Sequence, residues 1–362
     1  MSGRLQPMSG GAWRGRAQQG CCARASRDWI HGVPRRALPG IGSAQASLKA
    51  PPPRPIALLP HRKNESPPMS TPITHPTDLF LLHGWGMSNG VWDALPSALG
   101  SRYRLHPIEL PGHGGAGFEP NWRDLPNWAD AVLAQAPEQA VWLGWSLGGL
   151  VALQAALQAD ALTRERQSEH GPGHHGLGHH GLGHNRAEHR AGRNPGYNPG
   201  RIGALILVAA TPRFVQSADW RAAMPEATFE QFHGGLIDDP AKTLQRFLAL
   251  QVRGSDDERE TLRRLRAGIA ERPLPQPDAL QTGLDLLRET DLRGRLADIR
   301  PPTLWLFGAR DTLVPPAVAE RIALLMPGAQ CQTIAGAGHA PLLSHGDETA
   351  AAITAFLNGS LE

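Results

Sequence analysis

A serine set among glycines, Gly144-Trp145-Ser146-Leu147-Gly148-Gly149, follows the apolar run Ala140-Val141-Trp142-Leu143 and precedes a helix-forming stretch over 150–157. At a strand-to-helix junction this spacing predicts a very tight turn. A side chain at Gly144 or Gly148 would strike the adjoining element, while the strained serine is pushed up into a pocket as a nucleophile. A serine hydroxyl is a weak nucleophile, so it needs a base for its proton and an acid to orient that base. His339, in Gly336-Ala337-Gly338-His339-Ala340-Pro341, follows the last apolar segment on a loop of small residues and is the candidate base. Asp311, in Phe307-Gly308-Ala309-Arg310-Asp311, follows the segment before it and is the candidate acid; Asp291 and Asp298 are alternatives that follow no strand. The chemistry these types imply is two-step acyl transfer through a serine ester, with no metal and no organic cofactor.

Elements must bring these residues together. Short apolar or β-branched segments at 79–82, 104–110, 140–143, 204–208, 303–307 and 330–334 alternate with helical stretches. Such alternation predicts an α/β fold with a mostly parallel central sheet and helices on both faces. In an open sheet of this kind ligands gather at the carboxyl ends of strands, where both Asp311 and His339 fall. Between 211 and 291 the pattern becomes helical and charged, with helices expected over 229–236, 241–252, 256–270 and 278–287. The expected organisation is a core over 69–211, an inserted helical cap over 212–290 and a second core segment over 291–362.

Composition sets further bounds. The formal charge of the 362 residues is +3, but residues 1–68 carry eleven Lys/Arg against Asp28 and Glu65, a surplus of 9. The remainder holds 25 basic and 31 acidic residues, a balance of −6, so the basic character does not argue for a nucleic-acid-binding core. Segment 1–68 is rich in Arg, Pro, Gly and Ser without periodicity and reads as a disordered tail or upstream extension, with the functional protein starting near Met69. A second unusual tract, over about 163–200, reads as a disordered insertion. It holds His170, His174, His175, His179, His180, His184 and His189, and reads as a solvated loop with incidental affinity for metal. Three cysteines (Cys21, Cys22 and Cys331) give no disulfide framework and suit a reducing, cytoplasmic setting. No apolar run is long enough to span a membrane.

Taken together these residues resemble the α/β-hydrolase superfamily across about 76–360, which places serine, acid and histidine in the same chain order. Several motifs carry a closer resemblance, to the pimeloyl-[acyl-carrier protein] methyl ester esterases of biotin synthesis. They are Leu81-Leu82-His83-Gly84-Trp85-Gly86-Met87, the elbow with Trp145 before the serine, Arg246-Phe247-Leu248-Ala249-Leu250-Gln251, and Asp311-Thr312-Leu313-Val314-Pro315. The resemblance implies that the backbone N–H groups of Trp85 and Leu147 form the oxyanion hole, and that Trp85, Leu147 and Phe247 meet the substrate. It also implies that Lys242, Arg246, Arg259 and Arg263 meet an acidic carrier protein. Each of the two pairs, Lys242 with Arg246 and Arg259 with Arg263, is four residues apart and so lies on one helix face. His83 and His113 are expected to order their own loops. The expected partner is an acyl methyl ester on a carrier protein, handled by a monomer without membrane or nucleic acid. The rival readings are a general short-chain carboxylesterase and, more remotely, a histidine-rich metal-binding protein on a hydrolase scaffold. Two departures stand out: the antiparallel strands that usually open the fold have no clear counterpart before Leu79, and the 163–200 tract is foreign to the pattern.

Overall fold

The structure is a computed structural model that describes residues 77–95, 97–137, 139–169 and 201–360; the basic tail, and the histidine-rich tract from 170 to 200, lie outside the described residues. Six strands form one sheet: β1 (Thr77–Leu82), β2 (Tyr103–Ile108), β3 (Gln139–Trp145), β4 (Arg201–Val208), β5 (Thr303–Gly308) and β6 (Gln330–Ile334). Their order is β2-β1-β3-β4-β5-β6 and every pairing is parallel. Leu79, Phe80, Leu81 and Leu82 on β1, and Leu205, Ile206 and Leu207 on β4, are wholly buried. That explains their unbroken apolar runs, since a parallel sheet covered on both faces has no solvent side to alternate with. Phe80 and Trp142 are register partners on adjacent strands, and their rings meet at 4.6 Å.

Helices cross between the strands. They are α1 (Ser97–Arg102), α2 (Leu125–Leu133), α3 (Leu147–Glu169), α4 (Glu226–Asp238), α5 (Pro240–Val252), α6 (Glu258–Ala270), α7 (Pro277–Glu289), α8 (Val318–Leu325), α9 (Pro341–Ser344) and α10 (Gly346–Ser360). Local chemistry sets their starts. Asp124 accepts the Asn127 N–H at the head of α2, and Asp239 accepts the Lys242 N–H at the head of α5, where Pro240 opens the first turn. The expected helix boundaries within 212–290 shift by a few residues, and α6 begins at Glu258 rather than at 256. One expectation is corrected: residues 163–169, assigned to the insertion, continue α3 as helix to Glu169. None of the described helices is long and apolar enough to cross a membrane.

The chain runs outward from β1 to β2, then returns to place β3 on the other side of β1. The order therefore reverses between β1 and β3, where a crevice opens beyond the carboxyl ends of the strands. Ser146 directly follows β3 and His83 directly follows β1, so both stand at that crevice. The four helices α4 to α7, inserted between β4 and β5, come down on it. Gly283 of α7 packs against the Trp85 ring and Leu147, and Gly86 faces Leu244 of α5.

Candidate active site

Ser146 sits at φ 56°, in the left-handed region that a residue with a side chain avoids, at a cost on the order of 1–3 kcal/mol. Hydrogen bonds hold it there. Its N–H donates to Val208 O at 2.9 Å, and its carbonyl accepts from Gly149 and Leu150 N–H at 2.9 and 3.2 Å. The flanking glycines are required by contact. A Cβ on Gly144 would lie 2.5 Å from Gly148 O, and one on Gly148 would run into the Leu82 and His83 carbonyls.

His339 Nε2 lies 2.9 Å from Ser146 Oγ, and its Nδ1 lies 2.7 Å from Asp311 Oδ2. The carboxylate can only accept, so Nδ1 carries the proton and Nε2 presents its lone pair to the serine O–H. The second Asp311 oxygen accepts Leu313 and Val314 N–H at 2.8 and 2.9 Å, which fixes the carboxylate's orientation. Serine, histidine and aspartate are 3, 1 and 4% exposed, so the three groups are shielded from bulk water. The alternative acids are elsewhere. Asp291 binds Arg213 and Arg293, and the Arg293 hydrogen bond holds its carboxyl below the ordinary range; Asp298 pairs with Arg295.

The loop bearing His339 is held from both sides. Trp145 Nε1–H donates to His339 O at 2.8 Å, and Gly338 N–H donates to Ser255 Oγ at 2.9 Å. Ser255 belongs to the turn between α5 and α6. In that turn Asp256 N–H also donates to Gly336 O at 3.1 Å, and Gly254 O accepts from Arg310 Nη1 at 3.0 Å, beside Asp311. One turn of the inserted helices thus braces the loop of His339 and the loop of Asp311. No motif pointed to Ser255 or Arg310 in advance.

Opposite the serine, Gly84 to Met87 form a β-turn closed by Met87 N–H to Gly84 O at 3.2 Å. Gly86, with φ 69°, occupies the third position, where a type II turn needs glycine. Trp85 is the second residue. Its indole N–H donates to Leu280 O of α7 at 2.8 Å, and its ring meets Phe247 edge-on at 4.8 Å. Leu147 is the first residue of α3, so its N–H has no intrahelical acceptor. His83 and His113, expected to order their own loops, also reach across to a neighbouring loop. His83 Nδ1–H donates to Gly84 O at 2.9 Å while its Nε2 faces Leu110 N–H and the Glu109 carboxylate, each at 3.1 Å. His113 Nδ1–H donates to Pro111 O at 2.9 Å, and its Nε2 accepts Gly86 N–H at 3.3 Å.

Of the basic residues, Lys242, Arg246 and Arg259 are exposed on α5 and α6, while Arg263 makes two bonds of 2.7 Å to Glu260. Arg264 bonds the same carboxylate at 2.9 Å, and the two guanidiniums hold Glu260 at about 2. Between α4, α5 and the start of α6 lies a groove of about 600 Å³ whose walls include Phe232, Thr243, Arg246 and Arg253. Gln251, at the end of the 246–251 motif, is buried, and its side-chain oxygen has no partner among the described residues.

A parallel sheet with its reversal beside a strained serine, a buried histidine and an aspartate defines a class, and the chain belongs to the alpha/beta hydrolase family, whose sequence profile matches residues 79–352. Among its relatives is the pimeloyl-[acyl-carrier protein] methyl ester esterase of Stenotrophomonas maltophilia, 41% identical over 77% of this chain and 92% of that protein. The enzyme of the same name from Edwardsiella ictaluri is 38% identical over 78% and 93%. Among solved structures, an esterase from Exiguobacterium antarcticum aligns with a TM-score of 0.58 at 17% identity, over 78% of this chain and 92% of that one, a likeness of fold alone.

Proposed function

We propose that this chain is a serine carboxylesterase that removes the methyl group from pimeloyl-[acyl-carrier protein] methyl ester. The observation that carries the reaction type is the continuous Ser146–His339–Asp311 hydrogen-bond relay at the crevice. The substrate rests on relatives near 40% identical over most of both chains that bear that name. In this reading His339 Nε2 takes the Ser146 proton as Oγ attacks the ester carbonyl, and the carbonyl oxygen becomes an oxyanion between the Trp85 and Leu147 N–H groups. The intermediate collapses, the C–OCH3 bond breaks, and His339 returns its proton to the departing methoxide oxygen to give methanol. Water then attacks the acyl-serine with the same base and releases the free carboxylate and Ser146. Phe247 and the Trp85 ring line the acyl path, with helices α4 to α7 as a cap over 212–290.

Lys242, Arg246 and Arg259 form the landing surface for the acidic carrier, and Arg263 contributes less because Glu260 already engages it. The Ser146–His339–Asp311 arrangement is complete within one chain, so the proposed chemistry needs no group from a second subunit. The low cysteine count supports the cytoplasm. The test compares kcat/KM for carrier-bound pimeloyl methyl ester with that for a free short-chain methyl ester. The expected result is a preference for the carrier-bound ester that shrinks as salt rises, and Ser146→Ala should abolish turnover of both at unchanged Tm. Equal kcat/KM at every ionic strength would reduce the reading to a general carboxylesterase.

A further inference from the structure

The two peptide groups on either side of Trp85 are each held by an imidazole: Gly84 C=O by His83, and Gly86 N–H by His113. The rings are 5.3 Å apart. His113 comes from a different loop, 27 positions from Gly86, and is fully buried against Trp128. Its two bonds specify its state, because a carbonyl can only accept from Nδ1 and an amide can only donate to Nε2. The ring is therefore the neutral Nδ1–H tautomer. Burial, with His83 as the second cause, pushes its pKa down to about 3, so the acceptor nitrogen stays unprotonated across the range in which an ester hydrolase operates.

We propose that His113 is a positioning residue for catalysis: by accepting the Gly86 N–H it locks the turn whose first peptide, Gly84–Trp85, aims the Trp85 amide toward the oxyanion. This rests on the reading that the Trp85 amide forms part of the oxyanion hole. The physical reason lies in the turn. Glycine at the third position tolerates either peptide orientation, so without an acceptor for its N–H the Trp85–Gly86 peptide is free to flip between turn types. A turn that changes type strains its closing Met87 N–H to Gly84 O bond, and the Gly84–Trp85 peptide that carries the Trp85 N–H is then left to the His83 bond alone. A preorganised donor contributes because it needs no reorganisation as charge develops, and a wandering one forfeits that advantage. Substrate binding draws mainly on Phe247 and the cap, so the loss should fall on kcat.

The experiment compares His113→Gln, His113→Asn and His113→Leu on a free short-chain methyl ester, with Ser146→Ala as control. Gln Oε1 stands as many bonds from Cα as His Nε2 and can accept the Gly86 N–H, Asn is one carbon too short, and Leu has no acceptor. The expected result is that Leu and Asn lower kcat by about tenfold with KM within about twofold, while Gln stays within about threefold of the parent, an ordering that follows from losing donor alignment. A trifluoromethyl ketone, whose hemiketal carries the same oxyanion, should lose affinity for the Leu and Asn variants in parallel with kcat/KM. If Leu does not fold, Gln against Asn carries the comparison. Equal kcat for Gln and Asn, or parent kcat in Leu while Ser146→Ala is inactive, overturns the proposal and leaves the acyl-transfer reading intact. Turnover in Ser146→Ala overturns both.

Discussion

A serine at φ 56° within 2.9 Å of an imidazole is useful only while that imidazole keeps its proton on the far nitrogen. Asp311→Asn should therefore cost far more activity than stability, because an amide nitrogen facing Nδ1 selects the wrong tautomer. The expected loss in kcat is on the order of 10³–10⁴ at nearly unchanged Tm, read from steady-state kinetics and a thermal melt. His113 makes a separate prediction about pH. Its folded pKa of about 3 lies below the ordinary 6.5, so as pH falls the unfolded chain takes up that proton first. The stability it lends is complete above about pH 6.5 and is lost progressively between 6.5 and 3, by roughly 5 kcal/mol over the window. Urea unfolding at a series of pH values should show this acid slope in the parent, and His113→Gln should flatten it. The convergence of Ser146, Asp311 and His339 was legible because each follows a strand and each stands among small residues. The imidazole crossing from one loop to the other was not, since it depends on which ring nitrogen faces a neighbour 27 residues away.

At the scale of elements, α7 depends on Gly283. A Cβ there would lie 2.6 Å from Trp85 Cδ1 and 3.4 Å from Leu147 Cδ2, against both proposed oxyanion residues at once. Helix propensity favours Ala over Gly by about 1 kcal/mol, while forcing a methyl into a packed contact costs about 1–3 kcal/mol. Gly283→Ala should accordingly leave Tm close to the parent value or slightly lower. Its kcat should fall several-fold as Trp85 is displaced, a split that paired melts and kinetics will reveal. Strands β1, β3, β4 and β5 were readable because burial on both faces writes an apolar run into the chain, whereas the edge strand β2 buries only Tyr103. Strand β6, Gln330–Ile334, is exposed at its first four residues and was readable mainly from its place before the glycine loop. The end of α3 was misplaced because composition turns loop-like near 163, although Arg164, Glu165, Arg166 and Gln167 all have good helix propensity.

For the molecule as a whole, the exposed cations of α5 and α6 are where charge bears on the proposed association with a carrier. A carrier approaching α5 and α6 would meet Lys242, Arg246 and Arg259, which are exposed and make no ion pair among the described residues, before an Arg263 that already shares Glu260 with Arg264. Lys242→Glu with Arg246→Glu should raise KM for the carrier-bound ester about tenfold or more at low salt and leave the free ester untouched, with a smaller change for Arg263→Glu. Raising ionic strength above about 0.1 M, where the Debye length is about 10 Å, should erase most of the difference. The turn from Arg253 to Asp256, tied to Gly336, Gly338 and Arg310, has a different consequence. Its few bonds make it a thermal fuse: heating that merely loosens the α5–α6 corner slackens the loops of acid and base together, so the enzyme should fall silent several degrees before its ellipticity collapses, and recover on cooling.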